Sequence, residues 1–163
     1  MRTWLFQTHP NQYLLSASLA FLTREPWPVT RYKEKFQVGD LIFFGMYNTN
    51  EGIYALGRVV EPPADFAYPS GQVQSFWLDE DVILDNETWM WVEYLTKIHD
   101  EPLMRAQLAS NPILAELPTF TADIGDGEFN FEITEDQAKA LIKLFPGRRP
   151  GGDKLPEEVK GWL

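Results

Sequence analysis

Few side chains in this sequence are arranged for covalent chemistry. It has no Gly-rich phosphate loop ending in Lys-Ser/Thr, no dinucleotide glycine fingerprint, no Gly-x-Ser-x-Gly and no His-Glu-x-x-His. His9 could act as a general base, but no Ser or carboxylate partner can be assigned to it, and a lone His more often packs or hydrogen-bonds. Asp79-Glu80-Asp81 offers three carboxylates, yet consecutive side chains do not point the same way, so the run reads as a solvated charged loop. Cysteine is absent and the only histidines are His9 and His99, which excludes disulfides and thiolate metal sites. No catalytic set can be named, so the chain is not read as an enzyme, and neither metal nor cofactor is expected.

What the sequence has instead is aromatic surface. Aromatic residues make up 14% of it and six of them are Trp. Such rings serve either as core or as stacking platforms. Trp27 stands between Pro26 and Pro28 with no helical or strand periodicity to assign it to a core face, so it is either a pocket wall or core. Trp77 falls in an irregular stretch and reads as core or as a second wall. Trp89 and Trp91 share a strand face by their spacing and read as structural, as does Trp4.

Charge narrows the partner. The formal net charge is −10, which argues against bulk affinity for a polyanion. The charge is uneven. Residues 79–136 hold fifteen acids and two bases, while residues 1–78 hold six of each. Arg24, Arg31, Lys33, Lys35 and Arg58 could therefore form a phosphate-facing surface with the acidic segment turned away, or they are scattered solvated charges. No apolar run reaches the ~20 residues that span a bilayer, and no signal-peptide pattern opens the chain, so a cytoplasmic location without membrane association is expected.

The elements that must position these residues follow from pattern. A strand is expected over about 3–8, ended by Pro10. A helix is expected over about 11–22, with Asn11 as N-cap and Pro26 beyond its end. Trp27–Tyr32 reads as extended or loop, because each proline pushes the residue before it out of the helical region. Strands follow over about 41–47 and 53–60, joined by a polar turn over Asn48–Gly52. Residues 61–87 read as a long excursion, and loops of that length are often functional. Thr88–Ile98 is a strand, Leu103–Leu108 and Pro112–Leu117 are short helical turns, and Phe120 opens a short extended piece. Thr134 and Gln137 have capping-box spacing, and Ala138, Leu141, Ile142 and Phe145 give the helix over about 134–145 one apolar face. Arg148-Arg149-Pro150-Gly151-Gly152 then leads to a tail that docks through Val159, Trp162 and Leu163 or serves as a linker. The whole is an α+β domain over 1–146, a mixed barrel wrapped by short helices, with a tail over 147–163.

Four motifs in order carry a resemblance. They are Trp4-Leu5-Phe6-Gln7 with Pro10; Trp27-Pro28-Val29-Thr30-Arg31-Tyr32 followed by Val38-Gly39-Asp40; Gly52-Ile53-Tyr54-Ala55-Leu56-Gly57-Arg58-Val59; and Gly127, then Asn130-Phe131 with Ile133-Thr134. This order resembles the EVE domain, a PUA-like module related to YTH readers, across roughly residues 3–142. One departure is Glu128-Phe129, where the family pattern has a single small polar residue.

The resemblance implies a PUA-like barrel and a non-catalytic module that flips a modified base of DNA or RNA into an aromatic pocket. Trp27 would be one wall, with the backbone of Pro28 and Val29 at the base edge. Thr8, His9 and Asn11 would come from the end of the first strand, and Trp77 would be the second wall. Arg31, Lys33 and Arg58 would meet phosphate. Stacking is worth ~1–3 kcal/mol per base, and a buried methyl adds about 0.8 kcal/mol. The partner would be modified DNA or RNA, with a fused or separate effector protein. The alternative is a module for a nucleobase-like small molecule or for a protein, without nucleic-acid binding.

Overall fold

Thr3–Thr8 is buried along its whole length because its pleat feeds two cores at once. Trp4 and Phe6 enter one cluster, and Leu5 enters the other. The computed structural model describes residues 1–48, 51–69, 71, 76–121, 129–146 and 155–162. In it Thr3–Thr8 is β1, lying between the parallel Leu41–Met46 (β3) and the antiparallel Asn130–Ile133 (β8). In chain order the other elements are Leu15–Phe21 (α1), Arg24–Pro28 (β2), Gly52–Val59 (β4), Ala64–Asp65 (β5), Glu80–Asp85 (α2), Thr88–Lys97 (β6) and Leu103–Met104 (β7). Arg105–Ala109 (α3), a 3-10 turn at Leu114–Glu116, Pro118–Thr121 (α4), Glu135–Leu144 (α5) and Glu157–Lys160 (α6) complete the set. The strands run in the order β2-β6-β4-β3-β1-β8, with β5 on β6 and β7 on β4. The sheet is mixed and curls into a half-barrel, as an α+β barrel reading requires.

The aromatic cluster occupies one side of this sheet, packed under α1 and the 76–77 segment. The aliphatic cluster on the other side is covered by α3, α5 and α6. In α5, Thr134 caps Gln137 N–H and Gln137 returns a bond to Thr134 N–H, and Ala138, Leu141, Ile142 and Phe145 are all buried. In the tail, Leu155 and Val159 are buried and Trp162 packs against the same cluster, so this segment docks.

Several expectations change. Asn11 is not an N-cap, and α1 begins only at Leu15. Gln12 and Tyr13 N–H instead donate to His9 carbonyl, and Leu14 N–H donates to Phe76 carbonyl, so tertiary pairing takes over the first turn. Of the extended and loop readings open for Trp27, the structure takes the extended one, in β2. β2 is an edge strand, and Val29 N–H donates to Thr88 carbonyl, so odd-numbered positions face β6 and the missing N–H groups of Pro26 and Pro28 fall on the open edge. Asp79 is an N-cap, with its carboxylate accepting from Asp81 N–H, and Glu80 and Asp81 sit in the first turn of α2, where the helix dipole favours acids. Phe120 is helical, following Pro118 at a helix start. Asn130–Ile133 adds a strand that the pattern, only four residues long, did not announce. Trp91 is half-buried rather than core, although Trp4 and Trp89 are fully buried. Thr49, Asn50, Gly127, Glu128, Arg148–Gly152 and Leu163 lie outside the described residues.

Candidate functional site

The aromatic cluster is built around a buried acid. β2 alternation turns Glu25 and Trp27 inward together, and both are essentially inaccessible. Tyr13 hydroxyl donates to one Glu25 oxygen, and Tyr94 hydroxyl from β6 donates to the other. The Trp27 indole N–H reaches Glu25 Oε1 at 3.2 Å and Tyr94 Oη at 3.0 Å. Burial pushes the Glu25 carboxyl up to about 7, against the lowering effect of these three donors. Burial, reinforced by the negative charge of Glu25, raises both tyrosines well above their usual range.

Trp77 closes the outer side of this cluster. Its ring lies 4.3 Å from Tyr13 and 6.2 Å from Trp27, its indole N–H donates to Tyr68 hydroxyl at 3.0 Å, and Trp89 and Phe129 pack on it. Beside it runs a cleft of about 490 Å³ lined by His9, Asn11, Gln12, Leu78 and Asp79. Leu78 N–H donates to Gln12 carbonyl at 2.8 Å, which holds the two walls together. His9 is fixed from both ring nitrogens: Nδ1 accepts from Asn11 N–H at 3.0 Å, and Nε2 meets Asn48 Nδ2 at 3.0 Å.

The expected pocket residues are therefore partly assembled. His9 and Asn11 line the cleft, Thr8 is buried just before them at the end of β1, and Trp77 immediately precedes Leu78 on the other wall. Trp27 lies behind Tyr13 and Trp77, fully buried. The backbone groups expected at a base edge are engaged internally, since Val29 N–H donates to Thr88 carbonyl and Pro28 carbonyl accepts from Asn130 Nδ2 at 3.0 Å. Gln12, Leu78 and Asp79 on the cleft wall, and Glu25, Tyr13 and Tyr94 beneath it, were not anticipated. Strand alternation around Trp27 was the signal for Glu25, but the two prolines concealed it.

The three phosphate candidates differ. Lys33 pairs with Asp65 at 3.5 Å, and Arg58 pairs with Glu93 at 2.8 Å across the β4–β6 register. Arg31 pairs with no carboxylate among the described residues. Its Nε donates to Asn130 carbonyl at 2.8 Å, and its guanidinium lies over Phe131 and Tyr32 at 4.5 and 5.1 Å. No group of three or more acidic or His side chains among the described residues could hold a metal ion.

Solved structures share this architecture. A hypothetical protein from Leishmania major superposes with a TM-score of 0.63 at 16% identity, covering 88% of this chain and 94% of that one. Human THYN1, in a crystal structure with DNA containing 5-methylcytosine, gives 0.58 at 17% identity, covering 91% and 100%. The YTH domain of Zygosaccharomyces rouxii MRB1, in complex with N6-methyladenosine RNA, gives 0.54 at 12% identity, covering 91% and 86%. At these identities the likeness is one of fold. No sequence among the curated proteins matches. A family model described as the EVE domain matches residues 2–144, the whole of the sheet and α5, and by that match the chain belongs to the EVE domain family.

Proposed function

We propose that this chain is a non-catalytic reader of a modified nucleobase in DNA or RNA, taking the extruded base at the cleft between the end of β1 and the Trp77 segment. The observation that carries this reading is a cleft lined by the polar side chains of His9, Asn11 and Gln12 and by Leu78, directly next to Trp77, whose ring packs tilted on Tyr13 at 4.3 Å behind that lining. Side-chain amides can satisfy a base edge, with His9 holding Asn11 and Asn48 in place around it, and an aromatic plane can hold the base's face. That the fold is shared with a protein crystallised on 5-methylcytosine DNA and with another in complex with N6-methyladenosine RNA supports the same reading. Trp27 then supports the wall from behind instead of touching the base.

A second reading draws on one observation. Asp79 stands on the cleft wall at the start of an acidic helix, and a carboxylate there disfavours a nearby phosphate. The ligand would then be a free, uncharged nucleobase or nucleoside.

One titration series separates them. The purified chain is presented with single-stranded oligonucleotides carrying one 5-methylcytosine or one N6-methyladenine, with their unmodified counterparts, and with the free nucleosides. A reader prefers one modified strand by at least about fourfold, the equivalent of one buried methyl at about 0.8 kcal/mol. Binding of a nucleoside but of no strand establishes the second reading. Equal affinity for every modified and unmodified strand removes the first.

A further inference from the structure

We propose that Asn130 is a positioning residue that sets Arg31 as a preorganised anchor for a nucleic-acid phosphate. The inference rests on the base-reader reading above and names the contact that would hold the strand.

The open edge of β2 explains the role of Asn130. Pro28 carbonyl and Thr30 N–H both point away from β6, so the ladder leaves them without a strand partner. Asn130, fully buried at the start of β8, meets both with one side chain. Its Nδ2 donates to Pro28 carbonyl at 3.0 Å, and its Oδ1 accepts from Thr30 N–H at 2.8 Å. The side-chain amide thus stands in for a peptide group of a neighbouring strand and ties the two ends of the sheet together. The next residue along the tied segment is Arg31. Its Nε donates to the main-chain carbonyl of the same Asn130 at 2.8 Å.

That bond uses only one of the five guanidinium N–H groups. The plane is also held between Phe131 and Tyr32. Tyr32 takes φ 63°, a left-handed conformation rare for a bulky residue. Lys35 lies against the same Tyr32 ring, at 5.2 Å. Lys35 and Arg2 share one carboxylate, Glu132, whereas Arg31 has no carboxylate partner among the described residues. A guanidinium fixed through Nε, with its Nη groups paired with no acid among the described residues, is the form that takes two phosphate oxygens at once.

The test uses the full chain and two labelled single-stranded DNA probes of one sequence, with and without one 5-methylcytosine, titrated by anisotropy over a salt series. Arg31→Ala should weaken binding of both probes alike, by roughly tenfold, and reduce the salt slope by about 1. Arg31→Lys should restore only a small part of that loss, because Lys cannot hold the Asn130 carbonyl and reach phosphate together. Asn130→Ser should reproduce the Arg31→Ala slope and add nothing when combined with it. In proton–nitrogen correlation spectra the Arg31 Nε–H should be protected from exchange, and lose that protection in Asn130→Ser.

Wild-type affinity in Arg31→Lys, or an Asn130→Ser loss of equal size with and without Arg31, overturns the positioning role. Should Asn130→Ser fail to fold, Arg31→Lys and the wild-type Nε–H exchange still decide it. A slope change without methyl preference keeps the anchor and removes 5-methylcytosine as the base read. A methyl preference with the slope unchanged in Arg31→Ala does the opposite. No binding of either probe overturns the anchor for single-stranded DNA and removes 5-methylcytosine as the base read.

Discussion

At the scale of the residue, Glu25 has the largest consequences. Its carboxyl is raised to about 7 in the folded chain, from an ordinary value of 4.5, because burial outweighs three hydrogen-bond donors. Between these two values the folded state keeps a proton that the unfolded chain has released. Stability therefore falls as pH rises through that window, and the loss is complete above about 7. Its size is on the order of 3 kcal/mol from this one group. Glu25→Gln should remove that slope, since a neutral amide does not titrate, keeps one oxygen to accept from Trp27 and Tyr94, and can donate its N–H to Tyr13 hydroxyl. Urea unfolding from pH 5 to pH 8 checks this, and parallel profiles for wild type and E25Q would sink it. Trp27 changes role for the same structural reason. As a buried strand residue packed on Phe6, Tyr13 and Phe44, it should cost ~3–5 kcal/mol on truncation to Ala. Loss of ligand binding in W27A would then follow loss of fold, visible as a lowered urea midpoint. A stable W27A that binds no modified strand would return Trp27 to the pocket wall. Core was one of two readings open for Trp27, but nothing about Glu25 was legible without the strand. A Glu beside an Arg is ordinarily assigned to solvent, and only the inward alternation of β2 says otherwise.

At the scale of elements, what could be read depended on whether the local sequence decides the outcome. β3, β4, β6 and α5 carry their own signals in β-branched and aromatic runs or in capping and periodicity, and they stand within two residues of expectation. The start of α1, the edge strand β2 and the short β8 are settled by partners far along the chain: Phe76, Thr88 and β1. The cleft was half legible for this reason. His9 and Asn11 belong to the motif at the end of β1, whereas Leu78 and Asp79 reach it only through pairing with Gln12. Gly57 shows a motif position with a physical cause. It sits at a register shift between β4 and β6, and an added Cβ would stand 2.6 Å from Glu93 carbonyl oxygen and 2.7 Å from the Phe44 ring. Gly57→Ala should therefore destabilise by roughly 1–3 kcal/mol through overpacking. An unchanged thermal midpoint in G57A would mean that the strands separate freely at the bulge.

At the scale of the whole molecule, an acidic chain is asked to hold a polyanion. The net charge is −10, and much of the cationic surface is already paired internally: Lys33 with Asp65, Arg58 with Glu93, and Arg2 and Lys35 sharing Glu132. Such a surface neutralises few phosphates, so binding should depend on the pocket and vary shallowly with salt, with a logarithmic slope of about −1 to −2 on single strands. The ion pairs also say how that slope could be changed. Asp65 is exposed, and its carboxyl is held below the usual range by Thr88 hydroxyl and by Lys33, so it is charged wherever binding is measured. Asp65→Asn keeps an acceptor for Thr88 and releases Lys33, two residues beyond Arg31. Affinity for methylated and unmethylated strands should then rise by the same factor and the salt slope should steepen by up to about 1, while the preference between strands stays fixed, because phosphate contacts position and do not specify. The measurement is the salt series already used for Arg31, run on the D65N chain. A slope unchanged from wild type would show that Lys33 lies off the path of the strand, and would confine the phosphate contact to the corner formed by Arg31, Lys35 and Arg2.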